Sequence, residues 1–264
     1  HLHLSGVAVA RGPDGRLAVR HHYFSNASGI SYMMQNRRAL ARVVPGWFEG
    51  EPVLPIADAP LAILERLRGM MPDTLDEPTV VLLTPGVFSP SYSEHTMLAR
   101  RMGIPLVQGS DLVVLDDRVY LKTIHGLERV EVIYRRISDT WLDPLVFDPS
   151  SMLGVPGLVH CIRKGTVAVV NAIGSQLADD RALLPFAGRL IRYYLNESPL
   201  LPTFETRWLG DPDLRELVLD DLSAWQIRPL YGESVLGSPG GTGSPRGRAA
   251  VVREVLRAPH RYVA

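Results

Sequence analysis

The chain has 264 residues, 46% of them hydrophobic and 21% charged, which is ordinary globular usage and excludes wholesale disorder. Its 28 basic and 28 acidic residues cancel, so there is no electrostatic footprint for a nucleic-acid or membrane partner. A single cysteine, Cys161, excludes an internal disulfide framework and a Cys-based zinc site.

The length suffices for one large α/β domain or two smaller ones. Val7 to Arg11 reads as a short strand, Pro13-Asp14-Gly15 as a turn, and Arg16 to Tyr23 as the returning strand. After the polar loop from Ser25 to Gly29, helical spacing in Tyr32, Met33, Asn36, Leu40 and Val43 runs until Pro45 stops it. A second helix is expected over Ala59 to Arg68, with Asp58 as N-cap and Pro60 in its first turn. The proline-rich stretch from Met71 to Pro78 is the natural place for a domain boundary.

Thr79 to Leu83 is a continuous apolar run, as in a strand buried on both faces of a parallel sheet. A helix through Met97, Leu98 and Met102, closed by Gly103, leads to the strand Pro105 to Gln108 and completes a βαβ unit. Leu112 to Leu115 and Val119 to Lys122 flank Asp116-Asp117 as a hairpin, and Val130 to Tyr134 reads as a further buried strand. A helix over Val155 to Arg163, a strand over Thr166 to Val170 and a long helix from Asp179 or Asp180 to Leu195 follow. Asp211 caps a short helix, Trp225 to Leu230 reads as a strand, and the glycine-rich segment from Gly237 to Ser244 precedes a last helix. Cys161 adjoins the apolar run Gly157-Leu158-Val159 and reads as a buried bystander. No apolar stretch nears the ~20 residues needed to cross a bilayer. His1-Leu2-His3-Leu4 carries no signal-peptide core, so a cytoplasmic protein is expected.

Three places could hold chemistry. The glycine-rich loop offers backbone N–H groups to a phosphate or is a plain surface loop; it is neither a P-loop nor a Rossmann fingerprint. Arg135 and Arg136 end a buried strand, where open α/β sheets bind ligands, and could hold a carboxylate or phosphate bidentately. A solvated strand end, with an internal ion pair to Asp139, is the other reading of that run. Asn171 to Ser175 is a small-residue turn after a buried strand, suited to a ligand or to ordinary helix–strand packing. His21 and His22 alternate along a strand, so they point to opposite faces and do not line one metal site. His95 and His160 have no readable Ser or Cys partner, and no catalytic triad emerges.

Several segments carry more weight together than apart. They are Arg11 to Arg16, Ser28 to Tyr32 with Asn36-Arg37, Leu83 to Gly86, Ser93 to His95 and Leu98 to Arg100. Val119 to Thr123, Tyr134 to Arg136, Asp143 to Leu145, Leu153 to Leu158, Asn171 to Ser175, Ala178 to Asp180 and Arg192 to Leu195 continue them. In order and spacing they resemble the circularly permuted ATP-grasp family related to glutathionylspermidine synthase and to bacterial peptide-ligase-like proteins.

The resemblance implies an α/β fold, a circularly permuted ATP-grasp with a Rossmann-like pre-grasp domain. Residues 1–70 would supply the permuted metal-site hairpin and helices, and 79–156 the substrate-binding pre-grasp domain. Residues 157–264 would be the nucleotide-binding subdomain, with relatives continuing past Ala264 into the adenine hinge. It also implies ATP-dependent joining of a small-molecule or peptide carboxylate to an amine through an acyl-phosphate, with ATP and Mg²⁺ as cofactors. The alternative is a degenerate, non-catalytic module that binds a peptide or a partner protein. By the same resemblance Arg228 and Arg181 are the catalytic phosphate ligands, with Gly240, Gly241, Gly243 and Asn171 around the nucleotide. Arg135, Arg136, Asp139, Ser93 and Glu94 fall to the substrate, and no metal ligands are assigned. The chain departs from the pattern in Ala8 and His21-His22-Tyr23, where metal ligands are expected, and in arginine rather than lysine at 181 and 228.

Overall fold

The computed structural model describes residues 2–12, 14–49, 53–71, 77–231, 236 and 245–264. The chain divides into two units, His1–Gly6 with Tyr23–Gln176, and Val7–His22 with Leu177–Ala264. It opens on the expected hairpin, β1 (Gly6–Arg11) and β2 (Leu17–Tyr23), most of which belongs to the second unit.

The first unit continues with α1 (Ile30–Val43), α2 (Ala59–Arg68), β3 (Val80–Leu83), α3 (Tyr92–Met102) and β4 (Leu106–Val107). A meander follows, β5 (Leu112–Leu115), β6 (Arg118–Thr123) and β7 (Gly126–Val130), then β8 (Val132–Arg135), α4 (Asp139–Leu142), α5 (Leu158–Lys164) and β9 (Ala168–Val170). Strands β4-β3-β8-β9 form one parallel sheet in that order. Its two faces are read directly from residue parity, because side chains alternate along a strand. Val81, Leu83, Ile133 and Val169 pack into one core with Leu112, Val119, Leu142 and Leu158. Val80, Leu82, Val132 and Val170 pack into another with Leu64, Leu67, Leu98 and Met102. The β5–β6 turn has positive φ at both Asp116 and Asp117, the left-handed pair that matches strand twist in a two-residue hairpin.

Two expectations for this unit need correcting. Val130 to Tyr134 is not one strand: Val130 ends β7 and Val132 starts β8, in different sheets. The break falls on buried Glu131, whose carboxylate accepts from the Thr79 N–H at 2.8 Å and pairs with Arg129 at 3.2 Å. The periodic residues of α1 do not form a buried stripe either. Tyr32, Met33, Leu40 and Val43 are exposed, and only Ser31 in the first turn is buried.

The second unit adds α6 (Ala187–Leu195), α7 (Pro212–Asp220), β10 (Arg228–Pro229), α8 (Pro245–Arg257) and β11 (Tyr262–Val263) to the hairpin. Its core is Leu209, Val218, Leu222, Ile227, Val251, Val255 and Tyr262. β2 joins it through Val19, which exchanges backbone hydrogen bonds with Pro202 and Phe204 and bridges Thr203. The long helix expected from Asp179 or Asp180 is broken into two 3-10 segments, Ser175–Asp179 and Arg181–Phe186, ahead of α6. Pro185 is the cause, since it lacks an N–H and its ring clashes with the preceding turn. The expected strand Trp225 to Leu230 contracts to Arg228–Pro229, paired with β11; Pro229 cannot donate to a ladder. Helix α6 has no buried residue, and Tyr193 and Tyr194 stand largely in solvent.

Candidate functional site

In the first unit β3 runs through α3 to β4 on one side, and through the meander to β8 on the other. Strand order therefore reverses between β3 and β8, the point beyond whose carboxyl ends open α/β sheets bind ligands. The structure brings Arg136 and Glu94 together there. Arg136 Nη2 lies 3.3 Å from Glu94 Oε2, and both side chains are buried. Arg136 Nη1 also donates to the Ala27 carbonyl and, at 3.3 Å, to the Tyr134 hydroxyl. The other carboxylate oxygen of Glu94 accepts from Gly29 N at 2.8 Å and Ser31 N at 3.4 Å. Glu94 thus caps α1 from outside, because the N-cap is Gly29, in the left-handed region with no side chain to do so. Asp143 does the same for α5, whose N-cap is Gly157: it accepts from Gly157 N at 3.1 Å and Val159 N at 2.9 Å. Ser93 is exposed on the first turn of α3. Buried His95 places Nδ1 2.8 Å from Thr84 Oγ1. Burial, with the Arg136 charge added, lowers its pKa from 6.5 to about 4, so the ring is neutral near pH 7.

Arg135 is fully buried and faces inward to the protein. It donates to the carbonyls of Asn171, Ile137 and Ala172 and to Ser175 Oγ, and ion-pairs with Asp139 at 2.6 Å. Asp139 also accepts from Gly174 N at 2.9 Å. Asn171 closes the same knot: its amide oxygen accepts from His3 N and Leu4 N, and its nitrogen donates to the Leu4 and Phe24 carbonyls. The turn from Asn171 to Ser175 is therefore held by side-chain bonds of the unit itself, the packing alternative for that motif. Cys161 is fully buried, and burial pushes its thiol pKa up, as suits a bystander rather than a nucleophile.

In the second unit Arg20 Nη2 and Arg228 Nε both donate to one neutral acceptor, Gln226 Oε1, at 2.6 and 2.9 Å. Arg181 is buried and donates through Nη1 to the Pro229 and Leu230 carbonyls, fixing the end of β10 next to Arg228. Asp180 caps the following turn through Ala182 N and accepts from the Tyr231 hydroxyl at 2.9 Å. Gly240, Gly241 and Gly243 lie outside the described residues. Among the described residues no three His, Cys, Asp or Glu side chains converge on one point, and β2 presents His21, His22 and Tyr23 where the resemblance implies hard oxygen ligands. Arg20 and Gln226 escaped the sequence reading because nothing in one sequence pairs positions so far apart.

A family model for circularly permuted ATP-grasp type 2 matches residues 1–264. An uncharacterised protein of Synechocystis sp. is 38% identical, over 99% of this chain and 55% of its own length. An uncharacterised protein of Mycobacterium tuberculosis is 40% identical over 97% of this chain and 46% of its own, and one of Mycobacterium leprae 38% identical over 100% and 47%. The chain spans about half the length of the curated relatives it matches.

Proposed function

The chain belongs to the circularly permuted ATP-grasp type 2 family, and we propose that it works in an ATP-dependent ligase joining a small-molecule or peptide carboxylate to an amine. In that reaction a carboxylate oxygen displaces ADP from the γ-phosphorus of ATP. The amine then displaces inorganic phosphate from the acyl carbon and loses one proton, leaving the amide. Stabilising charge on the transferring phosphoryl oxygens is the main work of such a site. The observation that supports the reading is the convergence of two guanidinium groups, Arg20 from β2 and Arg228 from β10, on Gln226, with Arg181 holding the end of β10; such a fork suits a phosphate oxyanion. Arg136 and Glu94, at the reversal of the first unit's sheet, mark the face proposed for the substrate. A cytoplasmic setting, without nucleic-acid or membrane partners, is part of the proposal; among the described residues no helix is long and apolar enough to cross a membrane.

Calorimetric titration with ATP, with and without Mg²⁺, tests it. Binding that Mg²⁺ strengthens, followed by ADP release when amino-acid or peptide acceptors are supplied, supports the ligase. Absence of ATP binding sinks it. A second reading, a non-catalytic module for a peptide or protein partner, is favoured by His21, His22 and Tyr23 in place of metal ligands. ATP binding indifferent to Mg²⁺, with no ADP released by any acceptor, would select that reading.

A further inference from the structure

Beside the Arg136–Glu94 pair the first unit holds a cleft of about 280 Å³. Residues 4–6 and 27–30, with Met33 one turn into α1, make its walls, and Tyr134 of β8 contributes to it from the sheet. No ionised side chain lines it. The charges lie one layer behind and cancel each other. Arg136 grips Ala27 and Tyr134, while Glu94 grips Gly29, so a single buried pair fastens both the loop and the strand that line the cleft. This leaves a preformed, electrically neutral hollow whose side chains are mainly Leu4, Ile30, Met33 and the Tyr134 ring, with the Ser5 and Ser28 hydroxyls as polar points. Its volume is at the low end for small-molecule sites, roughly 300 Å³ and upward. An apolar group entering it gains about 25 cal/mol per Å² buried, whereas an ionic group would be desolvated with no counter-charge in the wall.

We infer that this cleft is a specificity pocket for an uncharged aliphatic side chain of amino-acid size, and that the Arg136–Glu94 pair shapes it without touching the ligand. The inference rests on the ligase reading only for the ligand's being part of a substrate; binding to the cleft itself does not require it. Tyr134 of the lining is buried, and half-exposed Met33 has the unbranched thioether that adapts to branched chains.

The test is a titration of the whole chain, carrying methyl-labelled Met and Ile, with N-acetyl-leucinamide and separately with N-acetylglutamate, in the absence of ATP. The expected result is a saturable shift of the Met33 and Ile30 methyl resonances with the leucine derivative and none with the glutamate derivative. Met33→Glu, at an exposed position that leaves the fold intact, should weaken the leucine response by about tenfold. Equal responses to both compounds, or no saturable response in the wild-type chain, would overturn the pocket. Because ATP is left out, a saturable leucine response in a chain that fails to bind ATP would keep the pocket and remove the ligase reading alone.

Discussion

The buried polar groups of the first unit differ from the outer arginines of the second. In the first, Arg135, Asn171, Glu94 and Asp143 are buried, and each is held by several bonds to backbone groups of its own unit. In the second, Arg181 is buried and bonded to backbone carbonyls in the same way, whereas exposed Arg20 of β2 and half-buried Arg228 of β10 share one amide oxygen. A saturated arginine holds a shape, and its charge is matched inside the protein. Arg20 and Arg228 instead meet at a neutral amide oxygen nearer the surface. Family resemblance alone assigns ligand roles to Arg135 and Arg228 alike, while their surroundings separate an anchor from a candidate ligand contact.

The contrast can be broken at its strongest point first. Arg135→Met removes four hydrogen bonds and leaves Asp139 without its cation, which should cost about 3–5 kcal/mol in chemical denaturation of the chain. A loss below 1 kcal/mol would mean the knot is not what holds the turn. Acid comes next. His95 is neutral in the fold down to about pH 4 but takes up a proton below 6.5 once unfolded, so the unfolded state binds more protons between those values. Its share of stability is complete above pH 6.5 and is lost as pH falls to 4, about 3 kcal/mol in all. His95→Gln should flatten that part of the stability profile, and an unchanged profile would place the acid sensitivity elsewhere. In the second unit Arg228→Glu should weaken ATP binding by about tenfold, near 1.4 kcal/mol, with little change in denaturation midpoint. Unchanged ATP affinity would remove Arg228 from the nucleotide site. The smallest effect is expected at α6, where Tyr193→Ser should alter stability by less than about 0.5 kcal/mol, since that side chain is largely exposed and meets the equally exposed Tyr194 ring edge-on. A larger loss, measured by thermal melting, would reveal a neighbour for that face.

Much of the first unit was legible because its signals are local and strong. Continuous apolar runs became β3, β8 and β9, and Gly103 and Gly165 end their helices in the left-handed region as their positions suggest. The turn chemistry of Asp116-Asp117 also held. Local patterns failed where a distant group decided. The apolar periodicity of α1 describes a face that stays exposed, and the run from Val130 to Tyr134 hides a change of sheet at Glu131. Pro185 was visible in the sequence and should have ended the helix drawn through it. The site was legible only in part. Arg135, Arg136 and Asp139 stand out by their place after a buried strand, but burial and partners, which turn Arg135 inward, are not written in spacing. A subtler signal was present in Gly29 and Gly157. A helix that begins on glycine has no cap of its own, and such a start predicts a carboxylate from elsewhere.

The split of the second unit between two stretches of chain matters during synthesis. Val19 leaves the ribosome roughly 180 residues before Thr203, the residue it bridges. At about 5–20 residues per second the hairpin waits on the order of ten to forty seconds for the strand it joins. All of the first unit has been translated before Leu177 appears. The parallel sheet and its buried network can therefore be in place while the hairpin is still without its partner, so a segment made before the sheet is fixed after it.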